Sequence, residues 1–136
     1  KVFLGDGGST FLGFLIAWLL IYYSQYPLKV LNPVLTIWCA SFPICDFICV
    51  FIRRIQNKKN PFKPDRTHIH HSLLNIGFKP SIVLIILSIL SVLLSLIGGL
   101  IFFFFGSTFA LLIFIIVIII YTIISNYLFN LPQKTI

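Results

Sequence analysis

Charged side chains are scarce in this 136-residue chain, and acidic ones are the scarcest. Only 10% of the residues are charged and only three are acidic, whereas 59% are hydrophobic and the mean hydropathy is +1.06. A soluble domain carries about 25% charged residues. The composition therefore excludes an ordinary soluble globular domain and predicts an all-α, polytopic membrane protein.

Cysteine is also rare, and the cysteines are not spaced for a metal. Cys39, Cys45 and Cys49 lie in one apolar segment at spacings of six and four, with no second pair. Zinc sites use closely spaced pairs, so we interpret these thiols as small hydrophobic side chains. The sequence also opens on Lys1 without a signal peptide or an initiator methionine, and we expect it to be part of a longer protein.

The sequence does contain four long apolar runs, separated by prolines and glycines. They predict four helices, at about 5–25, 33–52, 81–105 and 108–129. Pro80 begins the third run, Gly106 predicts a tight turn after it, and Pro43 is predicted to kink the second. We therefore expect about four transmembrane helices and one long polar loop, 53–79.

Basic residues are concentrated in the 53–79 loop. It holds seven of the ten Lys and Arg residues, whereas the 24–32 connection holds only Lys29. Because basic loops stay in the cytoplasm, counting spans places Asp6, at the start of the first helix, on the same cytoplasmic face. The net charge of +7 is thus typical of a membrane loop, or of one that holds anionic substrates. No nucleic-acid partner is expected.

All three histidines lie in this loop, in the segment Asp65-Arg66-Thr67-His68-Ile69-His70-His71. On a helix, the spacing of three residues would place Asp65, His68 and His71 roughly along one side. His70 would point in another direction. Histidine titrates near neutral pH and Arg66 offers a planar donor fork, so the segment predicts an anion-binding, proton-handling cluster. A zinc site is a weaker alternative, because adjacent histidines do not easily share one ion. A solvated basic loop is the remaining alternative.

Two more aspartates are candidates for function. Asp6 lies between glycines at the mouth of the first helix, where a carboxylate can hold Mg²⁺. The alternative is an Asp-Gly turn with Ser9 as a helix cap. Asp46 lies inside an apolar run, which predicts either a functional residue or a buried pair with Arg53, Arg54 or an arginine of a helix outside these 136 residues. The last two runs carry no charged residue and are predicted to be packing or lipid-facing scaffold.

Several of these segments resemble the motifs of one enzyme family. Residues 3–9 resemble its F-[LM]-G-D-x-G-S motif, and residues 42–78 resemble its P-x-x-D…R-R…P-F-x-x-D-x-x-H-[IL]-H-H-x-L-L…G block. The family is that of the polyprenyl-phosphate N-acetylhexosamine-1-phosphate transferases (glycosyltransferase family 4). The fit is to its bacterial undecaprenyl-phosphate GlcNAc-1-phosphate branch, and the chain resembles the C-terminal part of such an enzyme.

The resemblance implies transfer of an N-acetylhexosamine-1-phosphate from a UDP-sugar to polyprenyl phosphate, with release of UMP and with Mg²⁺ or Mn²⁺ as cofactor. It implies that Asp6 is a catalytic residue and the metal ligand. It also implies that His68, His70 and His71 are catalytic residues at the phosphate end of the site. Substrate-binding roles fall to the other matching charged positions, Asp46, Arg53, Arg54, Asp65 and Arg66.

The same resemblance implies a multi-pass enzyme of the bacterial inner membrane that starts an envelope polysaccharide, such as O-antigen or a teichoic acid linkage unit. Its expected partners are undecaprenyl phosphate, the UDP-sugar, the bilayer and the N-terminal helices of the same enzyme, and a homodimer is compatible with the family. Because the family's upstream aspartate motifs are absent, we expect no activity from these 136 residues alone. The alternative is a non-catalytic membrane module, such as a transporter fragment or a degenerate remnant.

Overall fold

The computed structural model describes residues 5–25, 27, 30–60 and 68–130; at residues 5, 6 and 9 the description covers the backbone alone. Within these ranges the chain forms five α-helices and no strand. The helices are Gly5–Ser24 (α1), Pro33–Cys39 (α2), Ser41–Gln56 (α3), Ile69–Ile76 (α4) and Pro80–Phe129 (α5). The predicted all-α fold is confirmed for the described residues.

The first apolar run forms α1, which begins at Gly5. Ser9 therefore lies inside the helix, and the expectation that it caps the helix start is wrong. At the other end, the Ser24 hydroxyl donates to the Ile21 carbonyl at 2.8 Å. The Leu31 amide then donates to the Tyr23 carbonyl at 3.0 Å, which ties the end of α1 to the residues that lead into α2.

The second apolar run is two helices, α2 and α3, which meet at an angle of 74°. The Asn32 side chain caps α2 by accepting from the Val34 amide at 3.0 Å. The break falls at Ala40 (φ −98°, ψ 17°), three residues before Pro43. A proline ring clashes with the carbonyl four residues earlier, here that of Cys39, so an unbroken helix is disfavoured. The break places Pro43 in the first turn of α3, where its missing N–H costs nothing.

The loop predicted at 53–79 contains the last turn of α3 and the short helix α4. Gly77 ends α4 in the left-handed conformation (φ 110°), which glycine adopts without a steric cost. Its amide donates to the Leu74 carbonyl at 2.9 Å, and the Phe78 amide donates to the Leu73 carbonyl at 3.2 Å. Pro80 then starts α5 two residues after Phe78, so α4 is held close to the N-terminal end of α5.

The helix α5 is interrupted at Gly106, whose φ of 79° and ψ of −178° are not helical. The Ser95 hydroxyl donates to the Trp38 carbonyl at 3.2 Å, and the Trp38 indole donates to the Ala110 carbonyl at 3.2 Å. In a straight helix Ser95 and Ala110 would be about 22 Å apart, more than one residue can bridge. The arms 80–105 and 107–129 therefore fold back on each other at Gly106.

Trp38 lies at the centre of the packing between α2 and both arms of α5. It is almost fully buried, it packs against Gly98, and its ring meets Phe114 edge-on at a centroid distance of 5.1 Å. The buried cluster around it links the helices into one unit and comprises Trp38, Cys45, Cys49, Ile69, Phe114 and Tyr121. Two of the three cysteines are thus core residues as interpreted, whereas Cys39 is exposed.

Large apolar side chains cover the outside of α1 and α5, and Phe103, near the Gly106 turn, is 79% exposed. Such continuous apolar surface is unfavourable in water and fits a lipid environment. Among the described helices, α5 alone is long and apolar enough to cross a membrane, and α2 with α3 is a second candidate if the bent pair is one span. These features agree with a membrane protein.

Candidate functional site

The three charged residues of α3 lie on one face of the helix, which turns inward. Asp46, Cys49, Val50, Arg53 and Arg54 follow the helical spacing of three and four residues, and all five are buried. Ile55 lies on the opposite side of the helix and is exposed, and Phe47, at the edge of the buried face, is exposed too. The sequence thereby brings the Asp46 carboxylate and the Arg53 guanidinium to the surface of α3 that faces α4 and the C-terminal arm of α5, while Arg54 reaches the loop at Asn60.

Asp46 is the centre of this interface. One oxygen, Oδ2, lies 2.8 Å from His68 Nδ1. The other, Oδ1, accepts from the Ile69 amide at 3.1 Å and from the Tyr121 hydroxyl at 3.0 Å. A buried carboxylate needs such donors to offset the loss of water. These three donors hold Asp46, in place of the arginine pair that was the alternative expectation.

The three imidazoles lie in one row. The His68 and His70 rings are nearly parallel at a centroid distance of 5.8 Å, and the His70 and His71 rings are 4.1 Å apart. His70 therefore does not point elsewhere, as a continuous helix would require. The reason is that α4 begins at Ile69, so His68 is an extended N-cap residue (φ −66°, ψ 150°) whose ring can turn over His70.

The middle imidazole of the row, that of His70, has a shifted pKa. The pKa of His70 is lowered from its ordinary 6.5, chiefly by partial burial and then by the neighbouring charges of His71 and His68. His70 is therefore mainly neutral at neutral pH. The proton-handling role predicted for the cluster stays a prediction.

The two arginines make contacts inside the protein. Arg53 donates from Nε to Asn126 Oδ1 and from Nη2 to Ser125 Oγ, both at 2.9 Å, and its guanidinium lies 4.6 Å from the centre of the Phe129 ring. Arg54 donates to the Asn60 carbonyl at 2.5 Å. Both side chains are buried. Their predicted role in binding substrate stays a prediction, and these contacts join α3 to α5 and to the loop.

Sequence reasoning missed three polar residues of the last run, Tyr121, Ser125 and Asn126. They were assigned to scaffold, yet Tyr121 binds Asp46 and the other two bind Arg53. The available signal was the spacing of four residues between Tyr121 and Ser125, which places these two on one face of an otherwise aliphatic helix, with Asn126 beside Ser125.

The structure describes the remaining predicted site residues only in part or not at all. Asp6 lies in the first turn of α1, and its side chain is outside the described part of the chain; Asp65 and Arg66 lie outside the described residues altogether. Across 5–25, 30–60 and 68–130, the structure brings no three His, Cys, Asp or Glu side chains together as a metal site. The predicted juxtaposition of Asp6 with the histidines stays a prediction.

The chain is similar to curated transferases from several bacteria. It is 38% identical over 98 residues to the undecaprenyl-phosphate alpha-N-acetylglucosaminyl 1-phosphate transferase of Yersinia pestis, a match that covers 72% of this chain and 27% of the relative. The enzyme of the same name from Escherichia coli K12 is 36% identical over the same shares. That of Pasteurella multocida is 43% identical over 77 residues, 57% of this chain and 22% of the relative.

These similarities confirm the predicted resemblance to the polyprenyl-phosphate N-acetylhexosamine-1-phosphate transferases. The matched part of the chain spans about a quarter of the length of these curated relatives. No protein-family model matches the chain, and no solved structure matches it.

Proposed function

We propose that this chain is part of a membrane enzyme that transfers N-acetylglucosamine-1-phosphate, or a close N-acetylhexosamine analogue, from a UDP-sugar to undecaprenyl phosphate. The observation that carries the proposal is the similarity over 98 residues to transferases of that name. The row of three imidazoles supports it, because two anionic substrates must meet and cationic or proton-donating groups offset their repulsion.

The proposed roles follow the chemistry of each side chain. His68, His70 and His71 would contact the phosphates, with Arg66 and Asp65 beside them in the loop. The neutral His70 can accept a hydrogen bond or a proton, while Arg66 can donate to phosphate oxygens. Asp46 would act through His68, since its carboxylate is already held by three donors.

A Mg²⁺ ion would be held through Asp6. Mg²⁺ prefers hard oxygen ligands and keeps several waters, so one or two carboxylates suffice. Of the three acidic residues, Asp46 is already occupied by protein donors, which leaves Asp6 and Asp65. When bound, the ion would offset the negative charge that develops on the transferred phosphate. The residues of this chain are compatible with such a site, completed by carboxylates from the rest of the enzyme.

Four spans would place the chain in the inner membrane. The arms 80–105 and 107–129 are about 39 Å and 34 Å long at 1.5 Å per residue, enough to cross a hydrocarbon core of roughly 30 Å. The 20-residue α1 just reaches that length. The bent pair α2 and α3 would be the remaining span, with the basic 53–79 loop in the cytoplasm.

The structure supports a shared face for Asp6 and the histidines. Ser24, at the end of α1, lines one pocket with Phe102, four residues before the Gly106 turn. Residues of α1 and α3 also line a second pocket between the two helices. The start of α1 then points away from the Gly106 turn, toward the other end of the helix bundle. At that end Arg53 meets Phe129, and α4 packs against α5.

Product analysis with the full-length protein tests the proposed function. Purified enzyme given UDP-N-acetylglucosamine and undecaprenyl phosphate is expected to release UMP in equal amount to a new sugar-diphosphate lipid. Release of UDP would mean that the sugar alone is transferred, and no release under conditions where the Escherichia coli relative is active would favour the non-catalytic module. The product would start a lipid-linked envelope polysaccharide.

A further inference from the structure

We propose that Asp46 and Tyr121 form a positioning pair that fixes His68 as the tautomer with its proton on Nδ1 and its Nε2 turned toward the site. The tautomer itself follows from the contacts of Asp46. Its consequence for catalysis rests on the proposed function.

The tautomer is set by the contact with Asp46. An ionised carboxylate can only accept hydrogen bonds, so the 2.8 Å contact with Oδ2 requires a proton on His68 Nδ1. In the neutral ring, Nε2 is then the acceptor. The His68 side chain is 37% exposed while Asp46 is buried. The ring is therefore held by Asp46 at Nδ1, and part of its remaining edge is open to solvent.

The carboxylate is itself oriented from two directions. The Ile69 amide, from the first turn of α4, and the Tyr121 hydroxyl, from the C-terminal arm of α5, both donate to Oδ1. With Oδ1 fixed, Oδ2 is presented to His68. Tyr121 is buried, and its ring lies edge-on to Phe42 at a centroid distance of 6.3 Å. The position of the first histidine therefore depends on a residue 75 positions away from Asp46.

The first part of the test is spectroscopic and does not require an active enzyme. Full-length protein with ¹⁵N-labelled histidine in lipid nanodiscs is expected to show a neutral His68 protonated at Nδ1, assigned by loss of its signals in His68→Asn. In Asp46→Asn the new amide can donate to Nδ1, so the proton is expected on Nε2 instead. An Nε2 proton in the wild type, or an unchanged tautomer in Asp46→Asn, would overturn the proposal.

The second part of the test measures catalysis. Asp46→Asn is expected to lower kcat roughly 10- to 100-fold, as loss of a partner that orients a ligand does, with the KM for UDP-sugar changed less than about twofold. Tyr121→Phe keeps the charge of Asp46 and is expected to lower kcat about two- to tenfold, the worth of one hydrogen bond. Tyr127→Phe is the matched control, because Tyr127 lies in the same C-terminal arm of α5 but is exposed. This variant is expected to match the wild type.

The outcomes separate this proposal from the proposed function. A wild-type protein without transfer would remove the proposed function, while the ¹⁵N signals would still decide the tautomer. A reversed tautomer in Asp46→Asn with unchanged kcat would show that Asp46 does not position a catalytic group. A rise in KM with kcat unchanged would assign Asp46 to substrate binding instead.

Discussion

Gly98→Ala is expected to destabilise the full-length protein by about 3 kcal/mol or more, at the upper end of the range for overpacked cores. A Cβ at this position would lie 2.1 Å from Trp38 Cδ2 and 2.2 Å from Cγ. The indole cannot move aside easily, because it donates to the Ala110 carbonyl at 3.2 Å and packs edge-on against Phe114. Membrane helices that approach this closely depend on small residues.

Gly99→Ala is the matched control, since a Cβ there would meet nothing within 4 Å. Alanine favours a helix over glycine by up to about 1 kcal/mol, so this variant is expected to be neutral or slightly stabilised. Thermal unfolding followed by size-exclusion chromatography in detergent gives the comparison. In the double variant Trp38→Leu/Gly98→Ala, the loss should be less than the sum of the two single losses. Equal stability of Gly98→Ala and Gly99→Ala would contradict the packing described for Trp38.

Asp6→Asn is expected to lower sugar-phosphate transfer by the full-length enzyme at least about 100-fold, the scale of removing one preorganised electrostatic group. Asparagine nearly keeps the shape of the side chain and loses its charge, so the amount of folded protein in the membrane should match the wild type. Radiolabelled lipid product per milligram of purified enzyme measures the effect. Wild-type turnover would remove Asp6 from the mechanism, and loss of the folded protein would indicate a structural role.

The metal dependence of the same preparations provides the control. Transfer by the wild-type enzyme should stop with EDTA and return with Mg²⁺ or Mn²⁺, because a carboxylate is a hard oxygen ligand. Asp6→Glu, which keeps the charge on a longer side chain, should retain part of the activity at a higher Mg²⁺ requirement. Stoichiometric zinc that disappears when the histidines are replaced would instead assign the loop to zinc chemistry.

The sequence allowed much of the fold to be predicted. Apolar runs bounded by Pro33, Pro80 and Gly106 predicted where helices begin and turn, because proline and glycine restrict the backbone locally. The break at Ala40 was predicted only as a kink near Pro43, since whether a proline bends a helix or ends it depends on packing around it. The start of α4 at Ile69, which brings the three imidazoles into one row, is likewise a tertiary effect.

The candidate site was predicted in part. The histidines and Asp46 were recognised because polar residues are rare in this chain. The pairing of Asp46 with His68 and Tyr121 could not be predicted, because the three residues lie on three different helices or their caps and meet only after α5 folds back. A tyrosine in an aliphatic helix gives no local sign of which group its hydroxyl will reach.

Every proposed role depends on the histidine row facing the cytoplasm, where nucleotide sugars are found. Asn60, in the 53–79 loop, and Gln25, after α1, are both exposed, and each can be changed to cysteine in a variant lacking Cys39, Cys45 and Cys49. In spheroplasts, a membrane-impermeant maleimide is expected to label Gln25→Cys at once and Asn60→Cys only after the membrane is permeabilised. Labelling of Asn60→Cys in intact spheroplasts would place the histidines outside and contradict the shared cytoplasmic site.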